Sequence, residues 1–344
     1  MRVIIVGAGI TGLTCARILA ENGYTCEVYE QRDHIGGNCY ELKVYGANVH
    51  RYGPHIFHTN DADAWSFVNQ FSPFTTYVHK VSAKTTMGMI PIPFNLVSAE
   101  KLHLDPNGVH ADFIVDLLFR DYSEKMWGCA FEDLPPAVTS RVPKIRLNTD
   151  CRYFTDEYQG IPTFGYNTLF MGMVDHPNIH LHLNMLPQSW RRELDYDFKV
   201  IIYTGSIDDY YGEPATLPYQ TLDIVFHPLG HRLPAPVINY CIPMEEEAAT
   251  RITDYRYFRD SRPPLETNED STVISKEYSR RCTGVGDVPY YPLPFNDAKE
   301  LYAMYESRDP GFNVKFCGRL GCYQYLNMDQ AVRQAMDVCA DIIG

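Results

Sequence analysis

Arg2-Val3-Ile4-Ile5-Val6-Gly7-Ala8-Gly9-Ile10-Thr11-Gly12 is the stretch that decides the fold. Its first residues form an apolar run, too short for a helix and rich in β-branched side chains, which predicts a buried strand. A glycine turn follows, and Leu13 to Glu21 has the pattern of an amphipathic helix. Gly7 permits the tight turn, Gly9 lets the backbone approach a pyrophosphate, and Gly12 lets helix and strand pack closely. The free N–H groups at the helix start then face the phosphates. A second strand, Cys26-Glu27-Val28-Tyr29-Glu30, ends in an acid and is followed by Gln31. A carboxylate there accepts hydrogen bonds from a ribose hydroxyl and repels a 2′-phosphate. Gly7, Gly9, Gly12, Glu30 and Gln31 are the expected dinucleotide contacts. The alternative is a glycine turn that only packs an ordinary strand–helix unit.

The next residues separate flavin from nicotinamide. Arg32-Asp33-His34-Ile35-Gly36-Gly37-Asn38 comes where a nicotinamide domain would enter its next crossover helix. A glycine pair after the acid resembles the arginine–GG motif of FAD proteins of the glutathione-reductase type. Gly36, Gly37 and Asn38 therefore join the expected cofactor contacts, and the dinucleotide is expected to be FAD.

Composition sets outer bounds. A chain of 344 residues, 45% of them apolar, can bury two or three structural units. The net charge of −13 argues against binding along a nucleic-acid backbone. Ten scattered cysteines without a C-x-x-C pair predict free thiols in a reducing compartment. The N-terminal apolar run is too short for a signal peptide, and no stretch has the length of a membrane span. A cytoplasmic enzyme is expected.

Further along, His55 and His58 lie on a loop, where a neighbour of the cofactor is the more natural reading than a metal ligand. Asp61 to Phe71 reads as a helix, and residues 75–95 as a hairpin whose prolines exclude a central strand. Residues 96–135 read as mostly helical. Arg141, Lys144, Arg146 and Arg152 form a basic cluster in an acidic chain, suited either to a diphosphate or to a solvated loop. Lys199 to Gly205 reads as a strand returning to the first sheet. Leu222–Phe226, Val237–Tyr240, Arg251–Phe258 and Thr272–Tyr278 read as antiparallel strands, with Glu245-Glu246-Glu247 an exposed acidic turn between them. Asn313–Cys317 and Met328–Ile342 read as a closing strand and helix. The expected architecture is α/β: a Rossmann-like FAD-binding domain from 1–74, 195–216 and 311–344, an inserted helical domain at 96–140, and an antiparallel-sheet substrate domain from 75–95, 141–194 and 217–310.

Taken together, these segments resemble the UDP-galactopyranose mutases. The likeness rests on His34-Ile35-Gly36-Gly37-Asn38, Tyr52-Gly53-Pro54-His55-Ile56-Phe57-His58-Thr59, Pro93-Phe94-Asn95, and Tyr122 to Gly128. It continues through Tyr153-Phe154, Tyr158 to Pro162, Tyr203-Thr204-Gly205, Val237-Ile238-Asn239, Arg251-Ile252, Pro289 to Pro292 and Gly318-Arg319-Leu320, in the family's order. The resemblance implies a pyranose–furanose isomerase of a UDP-hexose, UDP-galactose or a close relative. In it the N5 of reduced FAD attacks the anomeric carbon, and a reductant such as NADPH primes the flavin without being consumed. It makes Arg146 and Arg251 the diphosphate clamp, and Tyr158, Tyr291 and Tyr325 the phosphate-contacting tyrosines. Tyr122 becomes the uracil-stacking residue and Trp127 part of the sugar pocket, with Phe119, Asn239 and Asn327 also at the substrate. His55, Ile56, Gly205, Arg319 and Met328 fall beside the flavin, and His55 joins Arg146 and Arg251 as the catalytic residues. From composition alone, Tyr122 and Trp127 read first as core packing. The partners implied are a UDP-sugar and a second copy of the chain, with no nucleic acid, no membrane insertion and no metal; the family's product, galactofuranose, enters cell-surface polysaccharide.

The sequence departs from the pattern in places. The segment between Asn95 and Tyr122 is shorter than the usual bacterial helical domain, which carries uridine contacts and the dimer interface. Asn327 replaces a common aspartate, the loop bearing Arg146 holds one extra residue, and Phe164 replaces a glycine and would narrow what lies beside it. The alternative function is an FAD oxidoreductase of the amine-oxidase type, which shares the GG motif; a third is a non-catalytic nucleotide-sugar-binding flavoprotein.

Overall fold

The computed structural model describes residues 1–139, 145–185, 188–193, 197–259, 271–284, 286–293 and 295–344. Arg141 and Lys144 of the basic cluster, and the expected domain boundaries at 140/141 and 194/195, lie outside them.

The opening run forms the strand Arg2–Val6 at the centre of a five-stranded parallel sheet. Its neighbours are Val200–Tyr203 on one side and Thr25–Tyr29 on the other; Val314–Phe316 and Ile179–His182 form the edges. The helix Ile10–Glu21 crosses between the first two strands and packs against the C-terminal helix Met328–Ile343. Val3, Ile5, Leu13, Cys15, Ala16 and Leu19 are fully buried between these layers. Burying that apolar surface is the main force holding the layer together. One expectation fails here. Residues 166–182, assigned to the substrate unit, supply the helix Tyr166–Val174 and an edge strand of this parallel sheet. The backbone of Cys26 bonds that of Asn178, a long-range pairing that local pattern does not reveal.

The second sheet has seven strands in the order Tyr291–Pro292, Tyr219–Leu229, Thr272–Arg281, Arg251–Asp254, Val237–Cys241, Val81–Thr85, Gly88–Ile92. It is antiparallel except where Val237–Cys241 runs parallel to Val81–Thr85. Pro91 sits in Gly88–Ile92 at the sheet edge, where its missing N–H costs no ladder bond. The strand expected to reach Phe258 stops at Asp254, because the Asp254 carboxylate accepts from Arg256 N–H and turns the chain into the short helix Arg256–Arg259.

The helical segment contains Leu96–Lys101, Ala111–Val115 and Asp121–Trp127. A π-turn over Asp116–Arg120 joins the last two. Such a turn inserts a residue and re-aims side chains, and it recurs near functional sites. Among the described residues no helix is long and apolar enough to cross a membrane.

Candidate active site

The two glycine motifs meet. Gly36 N–H donates to Ala8 O at 2.7 Å, and a Cβ on Gly37 would stand 3.0 Å from the Gly9 Cα. A Cβ on Gly12 would collide with the Gly7 carbonyl oxygen. Glu30 is buried, with Oε2 accepting from Ala8 N–H at 2.8 Å and Oε1 from Arg32 N–H at 2.9 Å. Its remaining lone pairs are free for a ribose. Gln31 is exposed beside it. The helix beginning at Ile10 has no side-chain cap, so its N–H groups are open to an anion. Arg32 donates to Asn38 Oδ1 at 3.0 Å and lies over the Tyr52 ring, yet its Nη1 is buried without a partner. An open helix start, glycines that keep backbone bare and an orphaned guanidinium nitrogen fit the diphosphate of a dinucleotide.

A cavity of about 590 Å³, which Asn38 links to this cradle, lies between the seven-stranded sheet and the helical segment. The π-turn and the helix after it supply one wall with Phe119, Tyr122, Met126 and Trp127. Trp127 is buried against Met126, Leu134 and Leu293, so it is both core and lining. The seven-stranded sheet supplies Asn239 and Arg251, which face each other across adjacent strands, and Glu277 from the next. Tyr291 and Tyr325 stack at 5.5 Å and close the third side. Arg319 lies over both rings, while its N–H groups hold the carbonyls of Tyr290 and Leu326. Asn38, His55, Ile56, Asn327 and Met328 complete the end toward the cradle. Gly205 ends the turn after Val200–Tyr203, against the Tyr203 ring.

The floor is built on histidines that burial keeps neutral. His55 is pushed down to about 3 by burial, with nearby His50 adding to the effect. Its Nδ1–H donates to Gly53 O at 2.8 Å, which leaves Nε2 as an acceptor. His79, on the cavity wall, is likewise pushed down to about 3 by burial. Its Nδ1 is 3.1 Å from the Tyr77 hydroxyl. His58 and Phe154 stack at 3.6 Å beside it, and His58 Nδ1 is 3.1 Å from Asp156 Oδ2.

Arg251 Nε is 3.1 Å from Oε2 of Glu277, a carboxylate 1% exposed whose Oε1 is buried without a partner. Burial pushes the Glu277 carboxyl up and Arg251 opposes it. Burial disfavours the Arg251 charge, but Glu277 and the hydroxyls of Tyr122, Tyr291 and Tyr325 outweigh it and hold its pKa above the usual range. A guanidinium kept charged in a low-dielectric cavity is a strong anion ligand.

Arg146 stands elsewhere. Its backbone N–H donates to Phe94 O, and its Nη1 to Arg152 O at 2.5 Å, with Asp150 at 4.0 Å. Tyr158 also lies off the cavity wall, opposite Thr59 and stacked on Trp65 at 5.5 Å. Phe164 is 60% exposed and does not line the cavity, so it narrows nothing there. Sequence reasoning missed Glu277 and His79 as site residues. Each arrives through long-range strand pairing or burial, and with Lys276 and Lys80 as their immediate neighbours neither carries a local signal.

A family model described as UDP-galactopyranose mutase matches residues 117–325, and one described as an NAD(P)-binding Rossmann-like domain matches residues 5–71. A probable UDP-galactopyranose mutase of Klebsiella pneumoniae is 34% identical over 99% of this chain and 94% of its own. A dTDP-fucopyranose mutase of Escherichia coli is 33% identical over 99% of this chain and 98% of its own. The crystal structure of a reduced UDP-galactopyranose mutase superposes with TM-score 0.74 at 16% identity, covering 100% of this chain and 95% of that one. A putrescine oxidase variant, nearer to the alternative function, superposes with TM-score 0.54 at 12% identity, a likeness of fold alone.

Proposed function

The chain belongs to the UDP-galactopyranose mutase family, a flavin-dependent isomerase of pyranose and furanose sugars, and on that premise we propose how its residues divide the work. Gly7, Gly9, Gly12, Glu30, Gln31, Gly36, Gly37, Asn38 and Gly205 hold the FAD, with His55, Ile56, Arg319 and Met328 beside its ring system. When bound and reduced, the flavin supplies a nucleophile at N5 that displaces the nucleoside diphosphate from the anomeric carbon with no net redox change. A reductant such as NADPH primes it.

The protein's own contribution is to hold a leaving group that must return. Tyr122 and Phe119 stack and flank the base. Arg251 takes the diphosphate as charge develops on it, and the Tyr291 and Tyr325 hydroxyls reach the same oxygens. Arg146 completes the clamp by swinging in from its resting place on Arg152 and Asp150. Tyr158 joins on the same side. Trp127, Asn239 and Asn327 bound the sugar. The neutral imidazoles of His55 and His79 offer hydrogen bonds at the sugar end without adding charge. The observation that carries this reading is the charged Arg251 set in the cavity wall among three tyrosines.

The substrate is a nucleoside diphosphate hexose, UDP-galactose or a close relative, used in the cytoplasm by a homodimer to make galactofuranose for cell-surface polysaccharide. The test is to incubate dithionite-reduced protein with a panel of nucleotide sugars, UDP-galactose and dTDP-fucose among them, and separate the products. A new isomer from UDP-galactose supports the reading; a new isomer from the deoxythymidine sugar alone replaces the substrate, and none from any sugar rejects it.

A further inference from the structure

Lys125 is 3% exposed and lies on the helix that carries Tyr122 and Trp127. Burying an ammonium is strongly unfavourable unless its donors are used. Among the described residues no carboxylate lies within ion-pair distance of it, and Asp121 and Glu247 favour its charge from farther off. Its Nζ instead donates to two backbone carbonyls, Glu247 O at 3.0 Å and Ala249 O at 3.2 Å. Those carbonyls belong to the turn that leads directly into Arg251.

The turn is knitted from every side. The Glu247 carboxylate takes Lys276 Nζ at 2.7 Å through Oε2 and Ala249 N–H at 3.1 Å through Oε1. Glu245 and Glu246 are exposed, as expected of this acidic turn, and only Glu247 is half-buried and tied in. Thr250 donates its N–H and its hydroxyl to Glu277 O. The stacking helix is pinned a second time one residue on, where Met126 O accepts from Gln220 Nε2 and Ser279 Oγ, both at 2.7 Å. The base-stacking wall and the strand bearing the phosphate-binding arginine are thus joined by one buried cation.

We propose that Lys125 is a positioning residue that fixes the distance between the base site and the diphosphate site. It rests on the reading of the cavity as a nucleoside-diphosphate site. Lys125 touches neither half of the ligand; it acts through Tyr122 at one end and Arg251 at the other. A ligand with both halves feels the tie, because misplacing a fixed group by about 1 Å can cost as much as 100-fold. A ligand with one half does not.

The test uses the full FAD-loaded chain, titrated with UDP, uridine and pyrophosphate by calorimetry. For Lys125→Met, UDP is expected to bind at least about tenfold more weakly, and uridine and pyrophosphate within about twofold of the parent. Lys125→Gln keeps two N–H donors without the charge, and is expected to bind UDP within about threefold of the parent. Unchanged UDP affinity in Lys125→Met overturns the proposal. So does a loss of pyrophosphate affinity equal to that of UDP, since the charge would then act directly. If Lys125→Met does not fold, a tenfold loss in a folded Lys125→Gln overturns it. A parent protein that fails to bind UDP rejects the site reading itself, a separate outcome.

Discussion

Arg251 and Arg146 are expected to grip one diphosphate, yet the fold treats them differently. Arg251 sits mid-sheet with its guanidinium in the cavity, 3.1 Å from a buried carboxylate and among three tyrosines that favour its charge. Arg146 hangs at a chain crossing, its backbone tied to Phe94 and its side chain spent on Arg152 O and the vicinity of Asp150. One arm is built before substrate arrives, and the other must exchange partners to reach it. Arg251 is in place both for the bound diphosphate and for the charge that develops on it, whereas a charge that arrives on closure contributes mainly after binding.

The largest effect is expected from Arg251→Ala. It should lower kcat/KM by about 10³-fold, weaken UDP binding by tenfold or more, and leave the flavin spectrum intact. Loss of bound flavin would make Arg251 structural. Arg146→Ala should lower kcat by about 10²-fold with UDP affinity within about threefold of the parent. Equal losses of UDP affinity in the two variants would erase the distinction between them.

The histidine floor makes a third prediction, about stability. His55 and His79 are held near 3 by burial, against about 6.5 in the unfolded chain. The unfolded state therefore binds more protons between those values. Their contribution is complete above about pH 6.5 and is lost as pH falls toward 3, by about 1.4 kcal/mol per pH unit for each histidine. Melting of the parent and of His79→Gln should converge as pH drops from 6.5 to 4.5. A constant gap would show that His79 is not kept neutral. The smallest effect is expected from Asp150→Asn, which loosens the rest position of Arg146 and should raise kcat/KM by about twofold. A fall instead would mean that Asp150 guides Arg146 inward.

The same contrast explains what could be read from the chain beforehand. The cradle of Gly7, Gly9, Gly12, Glu30, Gly36 and Gly37 is made by neighbours in sequence, and each glycine answers a local steric demand, so spacing alone exposed it. Phe119, Tyr122, Trp127, Asn239, Tyr291 and Tyr325 line one cavity although they come from distant segments. Their types alone read as core, and only the family resemblance set them at a site. Glu277 was invisible because its meaning lies in the register of Thr272–Arg281 against Arg251–Asp254. A polar residue in a strand does not tell which face it will take until the partner strand is known. The edge strand Ile179–His182 was misassigned for the same reason: four residues carry no label for the sheet they join.

The most direct measurement compares turnover of the oxidised and the dithionite-reduced protein on the same nucleotide sugar, with products separated by chromatography. A flavin acting as nucleophile requires a new furanose isomer from the reduced protein alone, with no consumption of reductant beyond one priming equivalent. Equal turnover by the oxidised protein, or reductant consumed with every product molecule, would contradict it.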